Sequence, residues 1–89
     1  MLTMLKTDLG ILTTTAYDSR LTQLLTAAQQ YIIKEGASTL DASDIEDAEL
    51  IVMYAAWLWR RRDEMAGMPR MLRLALNNRV FSEKGMITE

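Results

Sequence analysis

An unbroken apolar run constrains this chain more than any other feature. Residues 50–59 read Leu50, Ile51, Val52, Met53, Tyr54, Ala55, Ala56, Trp57, Leu58 and Trp59. Just upstream, Ser43-Asp44-Ile45-Glu46 has the form of a capping box, in which the Ser43 hydroxyl bonds the third backbone N–H of a helix and Glu46 reaches back. Together they predict a long central helix that starts at the box, carries the apolar run to about residue 66 and stops at Gly67. A helix apolar around its circumference has to be enclosed by other elements. A chain of 89 residues has few to offer, because a domain of this size buries only about 60–65% of its unfolded surface. One side of the central helix is therefore expected to be covered by a neighbouring subunit.

Three more helices are expected around it. Leu2, Leu5 and Leu9 share one face of a short first helix, with Thr3 as candidate N-cap and Gly10 as left-handed terminator. A helix of that length cannot hold in isolation and must lean on the rest of the domain. The second runs over residues 18–35, from Asp18 as N-cap to a stop at Gly36, with Leu21, Leu24, Leu25, Ala28 and Ile32 as its inner stripe. The fourth opens at Pro69, a residue suited to the first helical position. It turns Leu72, Ala75, Leu76 and the stem of Arg79 inward, with Met71 and Val80 beside them. Residues 81–89 contain Gly85 and show no period, so they read as an extended tail carrying Phe81, Met86 and Ile87. The predicted fold is all-α, a small bundle of about four helices with a long central helix. The helical domain covers 1–80, and the C-terminal tail over 81–89 orders only on meeting a partner and is dispensable for folding.

Charge is distributed unevenly. Glu35, Asp41, Asp44, Glu46, Asp47 and Glu49 occupy residues 35–49 with no Lys or Arg among them. Over residues 60–79, Arg60, Arg61, Arg62, Arg70, Arg73 and Arg79 outweigh Asp63 and Glu64. Part of this polarity complements the dipole of the central helix. Its plainest meaning is two solvated surfaces. Its sharper meaning is head-to-tail assembly, with the acidic side of one subunit on the basic side of the next. Exposed ion pairs contribute only about 0.2–1 kcal/mol each, so charge would set orientation while apolar surface supplies affinity. The interface candidates are Asp44, Asp47, Trp57, Trp59, Arg61, Arg62, Arg70, Arg73 and Phe81. Trp57 and Trp59 stand two apart on the helix, so they point to different sides and at most one is expected in the chain's own core.

Reactive chemistry is sparse. The chain has no Cys and no His, which removes disulfides, imidazole acid–base work and nearly all structural zinc sites. Its serines have no base to activate them. Asp44 and Asp47, three apart at a helix start, serve more readily as cap and dipole partners than as a metal or acid–base pair. No catalytic, cofactor-binding or metal-binding residue is expected, and no enzyme. The formal charge of −2 argues against a dedicated nucleic-acid binder, whose phosphate contacts call for a net basic domain. The alternative function is a small helical DNA-binding or packaging-regulator protein using Arg60, Arg61, Arg62, Arg70 and Arg73. Against it, three adjacent arginines fan over about 200° of a helix and cannot all follow one phosphate row. No segment reaches the length of a membrane span, so no membrane partner is expected. The first residues lack the form of a secretory signal, which points to a cytoplasm.

Several segments share the character of one protein group. They are Leu5-Lys6-Thr7-Asp8-Leu9-Gly10-Ile11, Tyr17-Asp18-Ser19-Arg20-Leu21, the apolar run with Arg60 after it, and above all Met68-Pro69-Arg70-Met71-Leu72-Arg73-Leu74-Ala75-Leu76-Asn77-Asn78-Arg79. The sequence resembles the small head–tail connector, or adaptor, proteins of tailed bacteriophages and prophages over almost its whole length. The resemblance implies a helical subunit forming a ring of about a dozen copies below the portal protein. The ring would join the DNA-filled capsid to the stopper or another tail-completion protein and meet passing double-stranded DNA only non-specifically. No cofactor and no catalysis are implied. The implied location is the host bacterial cytoplasm during assembly, then the head–tail junction of the virion.

Overall fold

The computed structural model describes residues 1–11, 13–61 and 67–87, with side chains as far as Glu83. Four helices follow one another: α1 (Leu2–Leu9), α2 (Asp18–Glu35), α3 (Ile45–Arg60) and α4 (Arg70–Ile87). No strand occurs among the described residues. The predicted all-α bundle is the observed one.

Gly10 and Gly36 act as the stops the sequence anticipates. Gly10 takes φ 75°, and the Ile11 N–H donates back to the Lys6 carbonyl at 3.0 Å, which satisfies a carbonyl the helix end would otherwise leave open. Gly36 takes φ 127°. A Cβ there would stand 3.0 Å from Val80 Cγ1, so this glycine turns the chain and also lets α4 pass close to the end of α2.

The starts of the helices differ from expectation. Met1, not Thr3, holds the N-cap place of α1. Tyr17 precedes α2, and Asp18 is its first helical residue. Asp18 instead ties the two helices together, with the Lys6 ammonium 2.9 Å from its Oδ1. At α3 the cap is Asp44, whose Oδ1 accepts the Glu46 N–H at 2.9 Å and the Asp47 N–H at 3.2 Å. Ser43 turns its hydroxyl to Asp41 Oδ1 at 2.7 Å. A carboxylate at the cap serves two orphan N–H groups and also meets the positive end of the dipole, which a hydroxyl cannot do.

α3 is central. It has 16 residues against 18 in α2 and in α4, and its expected continuation over residues 62–66 lies outside the described residues. It packs against all three other helices. That arrangement corrects the main inference drawn from the apolar run. Leu50, Ile51, Val52, Tyr54, Ala55 and Ala56 are all buried within one copy of the chain. Trp57, Leu58 and Trp59 are half-buried, and only Met53 is exposed, at 38%. No neighbouring subunit is needed to cover this helix. Ala48, Ala55 and Ala56 present little bulk, so neighbouring helices approach closely and fewer elements suffice to surround α3.

The second correction concerns the C-terminus. No extended tail begins at residue 81: α4 continues through Ile87. The inward stripe of Leu72 and Leu76 extends one more step, to Glu83, which is 1% exposed. There Glu83 bonds to the backbone and side chain of the loop between α2 and α3. The expected tail would have included Glu83, which is buried and bonded to that loop.

Candidate interaction surface

α4 presents two different faces. At about 100° per residue, Leu72, Leu76 and Glu83 point to one side and Met71, Leu74 and Phe81 to the other. The first three are 2%, 0% and 1% exposed, the second three 73%, 47% and 78%. The inner face is fixed by a polar clasp. Glu83 Oε2 accepts the Ser38 N–H at 2.7 Å, and Oε1 accepts the Thr39 N–H at 2.6 Å and the Ser38 hydroxyl at 2.9 Å. One helical turn earlier, Arg79 Nε donates to Asp47 Oδ1 at 2.7 Å, and the Arg79 guanidinium reaches Thr39 Oγ1 at 3.1 Å. Asp47 Oδ2 also accepts the Asp41 N–H at 3.0 Å. The loop between α2 and α3, the first turn of α3 and the last turns of α4 thus form one hydrogen-bonded unit.

Burial alone would raise both carboxyl pKa values. For Glu83 the bonds from Thr39 and Ser38 outweigh burial and hold the pKa below its ordinary value. For Asp47 the Arg79 guanidinium and the Asp41 N–H do the same. A carboxylate with a depressed folded pKa contributes stability that is complete above its unfolded value, about 4, and is lost as pH falls through the folded value. The Glu83→Gln protein should accordingly be less stable than the parent at neutral pH, and the gap should close as pH falls below about 4. Urea denaturation across pH checks this. A gap that stayed constant would show that the charge of Glu83 contributes nothing.

The clasp also redirects the charge argument. Asp47 and Arg79 pair within the chain, as do Glu35 and Arg73 at 3.6 Å and Asp8 and Arg60 at 3.3 Å. The acidic and basic stretches meet inside one subunit because α4 returns alongside the acid-rich turn. Among the proposed interface residues, Asp47 is therefore turned inward and spent, and Arg73 already faces Glu35. Asp44 is exposed but caps α3. Trp57 stands edge-on to Tyr54 at 5.5 Å, with the Arg61 guanidinium 4.9 Å over its ring. Trp59 stands edge-on to Tyr17 at 5.2 Å. Both indoles are half-buried and pack against the core, where at most one of them was expected. Arg70 is exposed and makes no ion pair among the described residues. Arg62 lies outside the described residues. Phe81 is the most exposed large apolar residue among the described residues.

Two further features adjoin these residues. A cleft of about 250 Å³ opens between the end of α3 and the start of α4, lined by Met53, Ala56, Trp57, Pro69, Met71 and Leu72, with Asp8 and Arg60 at its rim. At the opposite end of α3, Ile45 is 65% exposed beside exposed Asp44, Glu46 and Glu49. Among the described residues, no group of three or more His, Cys, Asp or Glu is arranged to hold a metal ion, and no helix is long and apolar enough to cross a membrane.

The residues that sequence reasoning missed are Lys6, Ser38, Thr39 and Glu83. Glu83 carried a signal: it falls eleven residues after Leu72 on the inward stripe, the offset that separates Ile32 from Leu21 on α2. A carboxylate at an inward position requires nearby donors. Which loop supplies them is a matter of tertiary structure. No family model, curated protein or solved structure matches this chain.

Proposed function

We propose that this chain is a structural subunit of a tailed-phage particle, a head–tail connector. Copies would sit below the portal protein around the DNA path and join the capsid to the stopper or tail. The observation that carries this reading is the second face of α4, where Met71, Leu74 and Phe81 are bared on a helix whose other face is already packed. Large apolar side chains grouped on one exposed face mark a protein–protein contact surface. The resemblance of residues 68–79 to connector proteins supplies the partner class, and these residues include Met71 and Leu74.

The engaged arginines weigh against the DNA-binding alternative. Arg60, Arg61 and Arg73 are each turned to a group of their own chain, which leaves Arg70 as the freest of the described set. Contact with DNA in the channel would then be weak and sequence-blind.

The experiment is co-sedimentation of the full chain with assembled portal, for the parent and for Phe81→Ser and Leu74→Ser. The parent should co-sediment with the portal. Both variants should keep the helical circular-dichroism signal and bind the portal at least about tenfold more weakly, as expected when exposed apolar anchors are lost. A parent that stays separate from the portal at every stoichiometry overturns the reading, as do variants that bind like the parent.

A further inference from the structure

We propose that the groove between α2 and the end of α3 is a phosphate-binding site. The inference goes beyond the assembly reading and does not rest on it.

The groove holds about 330 Å³. Its polar lining is Arg20, Gln23 and Tyr31 from α2 and Arg61 just past α3, over an apolar lining that includes Leu24 and Leu58. The α2 residues recur at spacings of three, four and their sums, so they share one face of the helix. No carboxylate lines the groove among the described residues. Other clefts of the molecule are balanced or acidic. The one beside Trp57 sets Arg60 against Asp8, and the one at the start of α3 sets Arg79 against Asp41, Asp44, Glu46 and Asp47. In a chain of formal charge −2, the groove of α2 and α3 gathers two guanidinium groups with no counter-charge in its lining.

Its donors are held in place and still have capacity. Arg20 Nη1 donates to Gln23 Oε1 at 3.5 Å, which occupies the amide oxygen and leaves the amide nitrogen to donate. The Tyr31 ring stacks on Tyr54 with centroids 5.9 Å apart, and that contact does not use the hydroxyl. The Arg61 guanidinium lies 4.9 Å over the Trp57 ring, an attraction to the ring face that consumes no acceptor. Neither Arg20 nor Arg61 enters an ion pair among the described residues.

Two cationic and two neutral donors around one groove call for an oxyanion. A carboxylate offers two oxygens in one plane. A phosphate offers oxygens in several directions and carries more charge when it is a monoester or pyrophosphate. Donors that arrive from two helices match the second geometry. A small phosphate compound and a nucleic-acid backbone present the same group, and the experiment separates them.

The test follows NMR signals of the full chain during titration with pyrophosphate. Ionic strength is held constant, because salt screens exposed charges. Signals of Arg20, Gln23, Tyr31 and Arg61 should shift saturably, and those of Met71, Leu74 and Phe81 should stay. Arg20→Gln and Arg61→Gln should each weaken binding at least about tenfold, as expected when hydrogen bonds from a charged group are lost. Both side chains are exposed, so the fold is retained. Arg70→Gln makes the same charge change outside the groove and should bind like the parent. A short DNA duplex is the second arm. Displacement of pyrophosphate by the duplex supports the site with a nucleic-acid backbone as its source of phosphate; failure to displace supports it with a small phosphate compound. The inference is overturned if pyrophosphate causes no saturable shift, if Arg70→Gln weakens binding as much as the groove variants do, or if the dicarboxylate malonate binds as well as pyrophosphate. The portal experiment judges the assembly reading separately.

Discussion

Replacing Ile51 by alanine should cost about 2–5 kcal/mol of folding stability, the range for truncating a large aliphatic in a packed core. Ile51 is 0% exposed, and its helix packs against all three others. The cavity left behind would lie between several helices, and no single side chain could move to fill it. Small domains have only about 5–15 kcal/mol in total, so this substitution removes a large share. Met53→Ala, two residues away in the same apolar run, should cost about 1 kcal/mol or less, because Met53 is 38% exposed and gives up less burial. Urea denaturation of the three proteins measures both values. Equal costs would mean that the faces of α3 are equivalent, as expected of a helix enclosed by other molecules. A large difference is expected of a helix enclosed by its own chain.

Removing Asp47 should be the most damaging change to the polar clasp. Asp47→Ala is expected to cost about 1.5–3 kcal/mol, the range for hydrogen bonds to a charged group. The side chains of Asp47 and Arg79 are only 10% and 19% exposed. Truncation would leave the Arg79 guanidinium half-buried with Thr39 Oγ1 as its remaining partner and would free the Asp41 N–H as well. The double variant Asp47→Ala with Arg79→Met should recover part of the loss, since removing both charges avoids stranding one. If the two single effects instead add to the double within about 0.5 kcal/mol, the groups do not act as a pair. The loss should also depend only weakly on salt, because a largely buried pair is screened much less than a surface one.

Legibility in the sequence followed how local each interaction is. The inner stripe of α2 was readable because Leu21, Leu24, Leu25, Ala28 and Ile32 obey one period, and all five are buried. Gly10 and Gly36 were readable as stops because positive φ is a local demand. The cap of α3 was placed one residue early because Ser43 and Asp44 are both good caps, and only the turn that Asp41 makes with Ser43 decides between them. The end of α4 was misplaced because residues 81–87 have weak intrinsic periodicity. Their helix is stabilised by Glu83 bonding to residues more than forty positions away.

The exposed apolar residues divide in the same way. Phe81 and Ile45 are visible in sequence as apolar residues in polar surroundings. Their exposure is not visible, and neither is the cleft, which exists only because the start of α4 lies beside the end of α3.

What the sequence by itself determined is the number and type of the helices, most of their boundaries and the inner stripes, because these depend on residues three and four apart in the chain. What only the tertiary structure decided is which apolar surface is left over and which charges are already paired. A side chain's remaining exposure and its ionic partner depend on which helix comes to lie against it. That pairing turned the run in α3 into a largely self-covered core, drew Asp47 and Arg79 together, and left Met71, Leu74 and Phe81 exposed on the outer face of α4.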